Sequence, residues 1–514
     1  MDLRRIFSSW TAGLGLTSTT RDAQDDDQYD VYPVHMLDDT EGTRNYMVGQ
    51  TLVFNDVLDA ERLHDSLSRL LEIGDWRKFG GRIRFKDGGR LEIHSPKYYN
   101  AERPAVFFTH DVSSFEISIK DHDLARELPK PTQEPSIQRG ADDFRSFAAR
   151  TDIPTNIEDM VQRSLPLLSL HITSFNDATL VGLAWPHILM DAVGIKALLT
   201  SWSRVLCGED EMVPAVLGAH NDVLYDMTDE TDHNFEVRQE SFFVKNSLNG
   251  LGLIIFIIRH LWTVIWYHGF EKRTIYLPKS KILQIQESTR LEAAEAAKIK
   301  AQESCFISEA DILMAWAAEK VIMAEAQSKP VTIMAAVNVR FRLSSVTEKI
   351  TVNHGGVYLQ NMVLACFACL PTALRPVSCG AIALECRRLF TQQTTEEEML
   401  KLLRVLRKMR DAGKEAKMPL CGQSDALLIL WNDLSKIDLL SAANFSAAVL
   451  TQNKSIRTGS NAPGTMEYHH LQRLKPNYWV ANTFTVLGKD HHGGCWIMGL
   501  LSPKVWERFH RDFQ

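Results

Sequence analysis

Hydrophobic residues recur at two spacings along this chain, and stretches of each kind alternate. In LDAERLHDSLSRLLEI (58–73), Leu58, Leu63, Leu67, Leu70 and Leu71 fall on one side of a helix with charges opposite. TLVFNDVL before it and RIRFK after it read as strands. ATLVGLAW (178–185) is nearly all apolar and bounded by Asn176-Asp177, which predicts a buried strand. DAVGIKALLTSWSRVL (191–206) follows as a helix through Ile195, Leu198, Leu199, Trp202 and Leu206. Further on, RTIYLP (273–278) reads as a strand and KSKILQIQESTRLEAAEAAKIKAQ (279–302) as an Ala/Glu/Lys-rich surface helix. ISEADILMAWAAEKVIMAEA (307–326) opens with Ser308 as N-cap and carries Ile312, Leu313, Trp316 and Val321. VTIMAAVNV and GVYLQNMVLACFA are strands, and TEEEMLKLLRVLRKMRDAG is a helix ending at Gly413.

Strands and helices alternate irregularly in both halves, without a sequence repeat. The expectation is an α/β protein of two similar-sized domains, with mixed β-sheets and flanking helices. A length of 514 residues agrees, because one hydrophobic core rarely grows that large. The expected organisation is a disordered N-terminal tail (1–29), an N-terminal domain (30–235), a hydrophobic linker or helix (236–272) and a C-terminal domain (273–514).

LGLIIFIIRHLWTVIWY (251–267) stands apart. It is intensely apolar, yet Arg259 and His260 interrupt its centre. A spanning helix needs ~20 apolar residues, and a central Arg costs roughly 2.5–3.5 kcal/mol on insertion scales. The segment is therefore expected to lie at a membrane interface or beside a greasy substrate rather than to span a bilayer.

The 45% hydrophobic and 24% charged residues are those of a globular protein. A net charge of −7 argues against nucleic acid as a partner. Eight cysteines without paired spacing do not make a disulfide framework. The single CxxC, Cys366 to Cys369, lies in an apolar run and reads as buried small hydrophobes. His469-His470 and His491-His492 lack metal-ligand spacing, so no metal is expected. The first residues, MDLRRIFSSWTAGLGLTSTTR, contain no continuous apolar stretch for a secretory signal. A cytoplasmic monomer is expected, with peripheral membrane contact through 251–267 as the open alternative.

Candidate chemistry sits in WPHILMDAVG (185–194). Two of the 17 histidines have Asp four positions on: His187, with Asp191, and His35, in HMLDD. His187 lies where a strand hands over to a helix, a place where loops expose catalytic side chains on a rigid scaffold. No strand hands over to His35, which precedes an acidic loop. A histidine can take a hydroxyl proton and later return it, because its ordinary pKa of ~6.5 lies near working pH. No GxSxG elbow offers a covalent nucleophile instead. Asp191 could orient the His187 ring as in a triad.

Several segments then fall into one order: LDDTEGTRNYM, GDWRKFGGRIR, His187-x-x-x-Asp191, ISEADILMAW, AAVNVRFRL, YLQNMV, WNDLSKIDLLSAANFSAA and GGCWIMGLL. Over residues 30–510 this set resembles the BAHD-type acyl-CoA-dependent acyltransferases, and especially their fungal trichothecene-acetyltransferase-like branch. The resemblance implies a chloramphenicol-acetyltransferase-like fold and His187 as the catalytic base. It implies acyl-CoA, acetyl-CoA first, as co-substrate, with no permanently bound cofactor. It also implies that Asp191 turns from the ring and pairs with an arginine, Arg340 or, as the alternative, Arg342. The chain departs from the family at two places. Ala192 replaces the glycine of HxxxDG, and Asn444-Phe445-Ser446-Ala447-Ala448 stands where DFGWG is expected, with Asn444 at the acidic position. Asn361 of YLQNMV is expected to satisfy buried backbone groups between the domains. The coenzyme-binding residues are left unassigned.

The expected function is O-acyl transfer to a hydroxyl of a hydrophobic terpenoid- or polyketide-like secondary metabolite. The alternatives are an N-acyltransferase or condensation-type catalyst, and a non-catalytic lipid-binding relic of the fold.

Overall fold

The long apolar strands of the chain assemble into two large mixed sheets. The computed structural model describes residues 28–514 except 87, 229–240, 267–268, 300–305, 326–328, 353–354, 371–377, 453–460 and 476–480. The expected tail thus lies outside the described residues up to position 27, and Tyr29 already opens the strand Tyr29–Pro33.

The first large sheet has five strands in the order Met466–Arg473, Met47–Phe54, Thr179–Pro186, Ser169–Ser174 and Phe107–Asp111. Its pairs are antiparallel except the last, which is parallel. All eight residues of Met47–Phe54 and of Thr179–Pro186 are buried, so both faces of these central strands are covered. Burial on both faces explains why ATLVGLAW shows no alternation of apolar and polar residues. At Gly182 a Cβ atom would come within 2.3 Å of the Phe147 carbonyl, so only glycine lets that backbone lie against the sheet.

The second sheet has seven strands, ordered Val363–Leu370, Val331–Asn338, Leu427–Asp433, Thr483–Lys489, Cys495–Leu501, Glu271–Leu277 and Ser136–Arg139. The chain does not divide between the sheets at one point. Met466–Arg473, late in sequence, pairs with Met47–Phe54, while the early strand Ser136–Arg139 pairs with Glu271–Leu277. Each half therefore closes the edge of a sheet built mainly from the other. The apolar cores follow the sheets, one around Trp185, Leu198 and Trp202 and another around Trp316, Ile333 and Ile497.

The helix Ala192–Leu206 begins at Asp191, whose side chain caps it. It packs on Ala60–Leu70, where the Trp202 indole donates to the Leu63 carbonyl (3.1 Å) and to Ser66 Oγ (2.9 Å). Glu396–Asp411 is capped by Thr395 and is followed by Gly413 at φ +69°, a left-handed conformation that ends helices and suits glycine. The expected single strand GVYLQNMVLACFA is two, Val357–Tyr358 and Val363–Leu370. Between them, backbone groups bond side chains instead of a neighbouring strand, as the site below shows.

Seven cysteines lie among the described residues, and all are free thiols. Burial pushes the Cys366 thiol up to about 12, which leaves it inert at neutral pH. Among the described residues no group of His, Cys, Asp or Glu could hold a metal ion.

Candidate active site

The strand Thr179–Pro186 ends opposite Met47, and its ladder runs one step further through the His187 amide, which donates to the Tyr46 carbonyl at 2.8 Å. That bond sets the His187 ring on the Tyr46 ring, stacked with centroids 5.0 Å apart and planes at 23°. The Arg473 guanidinium also lies over Tyr46, 4.4 Å from the ring centroid, and donates to the Asn45 carbonyl at 2.7 Å. The phenol thus has both an imidazole and a cation against it.

His187 opens into a cavity of about 420 Å³ between the two sheets. Val48, Trp185, Leu471 and Arg473 line it from the five-stranded sheet; Asn338, Asn432, Thr485 and Leu500 line it from the seven-stranded one. The cavity thus exists only where the two halves meet.

His187 Nδ1 is buried without a hydrogen-bond partner of good geometry. Burial holds the ring's pKa below its ordinary value, its own backbone carbonyl and the Asp191 and Asp38 carboxylates oppose this, and Arg473 adds to it. The imidazole is therefore neutral at neutral pH, with a lone pair to accept a proton.

Asp191 does not bond this ring. Its Oδ2 accepts from Arg340 Nη1 at 2.7 Å and from the Met362 amide at 3.1 Å. Its Oδ1 accepts from Arg340 Nη2 at 3.0 Å and, as helix cap, from the Val193 and Gly194 amides at 3.1 and 3.2 Å. Arg340 is 1% exposed and also donates to the Tyr358 and Gln360 carbonyls. These carbonyls and the Met362 amide are the backbone groups that leave the strand between Val357 and Leu370. Of the two candidate arginines, Arg340 holds Asp191. Gly194 lies where a Cβ would meet the Leu359 carbonyl at 2.7 Å, so the helix start and this irregular segment touch closely.

A second chain of contacts reaches His187 from the other side. Asn361 Nδ2 donates to the His187 carbonyl at 2.7 Å and to Asp38 Oδ1 at 2.7 Å, while the Asn361 amide donates to the same oxygen at 2.8 Å. Burial would raise the Asp38 carboxyl, but His35, Lys78 and the Asn361 backbone bond hold it below its ordinary range. His35 lies 3.4 Å from Asp38, its neighbour at i+3. Its i+4 residue, Asp39, pairs instead with Arg44. No spacing signal places Asp38, Tyr46 and Arg473 at this site, since Asn361 bonds Asp38 across 323 positions and Arg473 reaches Asn45, beside Tyr46, across 428.

Asn444 is not part of this cavity. It is exposed; its amide donates to Ser203 Oγ at 2.9 Å and its Oδ1 accepts from the Ser446 amide at 3.1 Å. The next residue, Phe445, is buried against Phe54 and Trp202, ring centroids 5.2 and 4.5 Å away. The NFSAA segment thus pins a loop onto the helix that follows His187.

No family model matches the chain. Among curated proteins it is 33% identical to O-acetyltransferase PaAT-2 of Phomopsis amygdali, over 94% of this chain and 97% of that one. It is 33% identical to acetyltransferase pyiB of Pyricularia grisea, over 93% and 92%. It is also 33% identical to acetyltransferase BOT5 of Botryotinia fuckeliana, over 97% and 92%. Among solved structures, TRI101 of F. sporotrichioides, crystallised with coenzyme A and T-2, superposes with a TM-score of 0.64 at 13% identity, covering 94% of this chain and 97% of that one. Vinorine synthase superposes at 0.52 and 13% identity, covering 96% and 93%. The two-sheet architecture is thus the chloramphenicol-acetyltransferase-like fold of these enzymes. With 33% identity running nearly end to end and this fold beneath it, the chain belongs to the BAHD-type acyl-CoA-dependent acyltransferases, in their fungal trichothecene-acetyltransferase-like branch.

Proposed function

We propose that this enzyme transfers an acyl group, acetyl first, from acyl-CoA to a hydroxyl of a hydrophobic secondary metabolite, with His187 as its general base. The observation that carries this reading is a neutral, partly buried imidazole in a cavity whose walls come from both sheets. An acceptor and a thioester that meet in such a cavity share one base. The apolar wall formed by Val48, Trp185, Met190, Leu471, Met498 and Leu500 suits a greasy acceptor better than a sugar. The relatives support the choice of reaction: PaAT-2 is named an O-acetyltransferase, and F. graminearum TRI101 was crystallised with coenzyme A and deoxynivalenol.

In this mechanism a ring nitrogen of His187 accepts the acceptor's hydroxyl proton as the oxygen attacks the thioester carbonyl carbon. The tetrahedral oxyanion collapses, the C–S bond breaks, and the imidazolium returns the proton to the leaving thiolate. Ester and free coenzyme A result, without an acyl-enzyme. Asp191 and Arg340 act indirectly, since their buried pair fixes the turn that carries His187. Asn361 holds that turn from the other side through the His187 carbonyl.

The test is incubation with a panel of acyl-CoAs and terpenoid or polyketide alcohols, scoring free thiol and new ester by mass spectrometry. Acceptor-dependent thiol release with a matching ester is expected. Amide products only, or no transfer to any alcohol, would overturn the reading.

A further inference from the structure

The helix Gly250–Trp266 faces the wrong way for a helix of a globular domain. Leu251, Ile254, Ile255, Ile258, Trp262 and Ile265 are all exposed, Leu251 at 72% and Trp262 at 64%. At 3.6 residues per turn these six fall within an arc of about 100°, a continuous apolar stripe turned outward. Phe256, on the opposite side, is buried and stacks on the His260 ring at 5.9 Å. Large exposed apolar stripes of this kind mark interaction sites.

Charge indicates what covers this one. From Ser241 to Trp266 there is no Asp or Glu, while Lys245 and Arg259 are both exposed, in a chain whose net charge is −7. Arg259 stands at the flank of the stripe, where a long side chain can reach up from apolar surroundings to a headgroup. Trp262 lies within the stripe, and tryptophan favours the membrane–water boundary. No helix among the described residues is long and apolar enough to cross a membrane, so the stripe can enter a bilayer only from one side. The position also links to the site: Lys272, six residues past the helix, lines the His187 cavity, and Phe270 packs with Leu500, another cavity residue.

We propose that Gly250–Trp266 is a monotopic anchor that lies in the headgroup–acyl boundary of an anionic membrane, its outer stripe buried and Lys245 and Arg259 on the headgroups. This inference does not depend on the assignment of His187.

The test is flotation of the full-length protein with phosphatidylcholine vesicles and with phosphatidylcholine/phosphatidylserine vesicles. The wild type is expected to float with the anionic vesicles and less with the neutral ones. Ile254→Glu/Ile258→Glu should lower the bound fraction at least about tenfold, since burying one such side chain already contributes about a factor of ten in affinity. Arg259→Glu should weaken binding to anionic vesicles only, and it keeps the test decisive if the double variant fails to fold. The proposal is overturned if the wild type stays unbound with anionic vesicles, or if the folded double variant floats as well as the wild type. It is also overturned if the wild type elutes as a dimer that the double variant converts to monomer, which would give the stripe to a second copy.

Discussion

Replacing Asp191 with alanine should damage folding first and catalysis in consequence. Its two carboxylate oxygens accept five N–H groups, from Arg340 Nη1 and Nη2 and from the Val193, Gly194 and Met362 amides. In Asp191→Ala the Arg340 guanidinium stays buried with no counter-charge, and breaking a buried pair in this way costs about 3–5 kcal/mol. Loss of the helix cap adds about 1 kcal/mol, offset in part because Arg340 keeps the Tyr358 and Gln360 carbonyls. A net loss of about 4 kcal/mol is a large share of a typical stability of ~5–15 kcal/mol. With an unfolding entropy of about 2.1 cal/mol/K per residue, a loss of that size lowers Tm by about 4 °C if the whole chain unfolds as one unit, and by more if one half unfolds alone. The assay is thermal and urea unfolding of four proteins: wild type, Asp191→Ala, Arg340→Met and the double variant. Because the double variant buries no orphan charge, it should be more stable than Asp191→Ala alone. If Asp191→Ala lies within about 1 kcal/mol of wild type, or the double variant loses the sum of the single losses, the pair does not hold the turn as argued.

Further outcomes follow from the same geometry. Arg473→Ala removes a positive charge that lowers the His187 pKa, so the acidic limb of the kcat/KM profile should move to higher pH; an unmoved or lowered limb contradicts the assignment. Burial holds His469 at about 4 and His470 at about 3. Below an ordinary pKa of ~6.5 the unfolded chain takes up these protons first, so stability should fall on acidification by about 1.4 kcal/mol per pH unit for each histidine. Tm measured from pH 7.5 downward tests this, and His470→Gln should flatten the slope. Asn361→Ala frees the His187 carbonyl and should lower kcat by about ten- to a hundredfold, the scale of a slightly misplaced catalytic group, while KM for acyl-CoA stays near wild type. An increase in KM alone would instead make Asn361 a substrate contact.

Much of this fold could be read locally. The helix over 191–206 shows in its periodicity because it buries one stripe of side chains, and the strand over 178–185 shows as an unbroken apolar run because both of its faces are covered. The strand before Val363 was not legible. Its break comes from Asp191 and Asp38, which take the Met362 and Asn361 amides across 171 and 323 positions, and from Arg340, which takes the Tyr358 and Gln360 carbonyls. The site divides in the same way. His187 and Asp191 stand in one motif, whereas Arg473 meets Asn45 across 428 positions and Asp38 meets Asn361 across 323, distances at which no spacing rule operates. The segment 251–267 announced its greasiness in sequence, but only the structure shows that the apolar stripe of the helix Gly250–Trp266 faces outward.

The most direct test of the central claim is turnover by His187→Ala with an acceptor that the wild type esterifies. General acid–base catalysis of this kind contributes typically ~10²–10⁴-fold, so kcat should fall by at least about two orders of magnitude. Tm should change little, because the ring stacks on Tyr46 but makes no side-chain hydrogen bond through Nδ1. Near-normal ester formation by a folded His187→Ala enzyme would contradict the account.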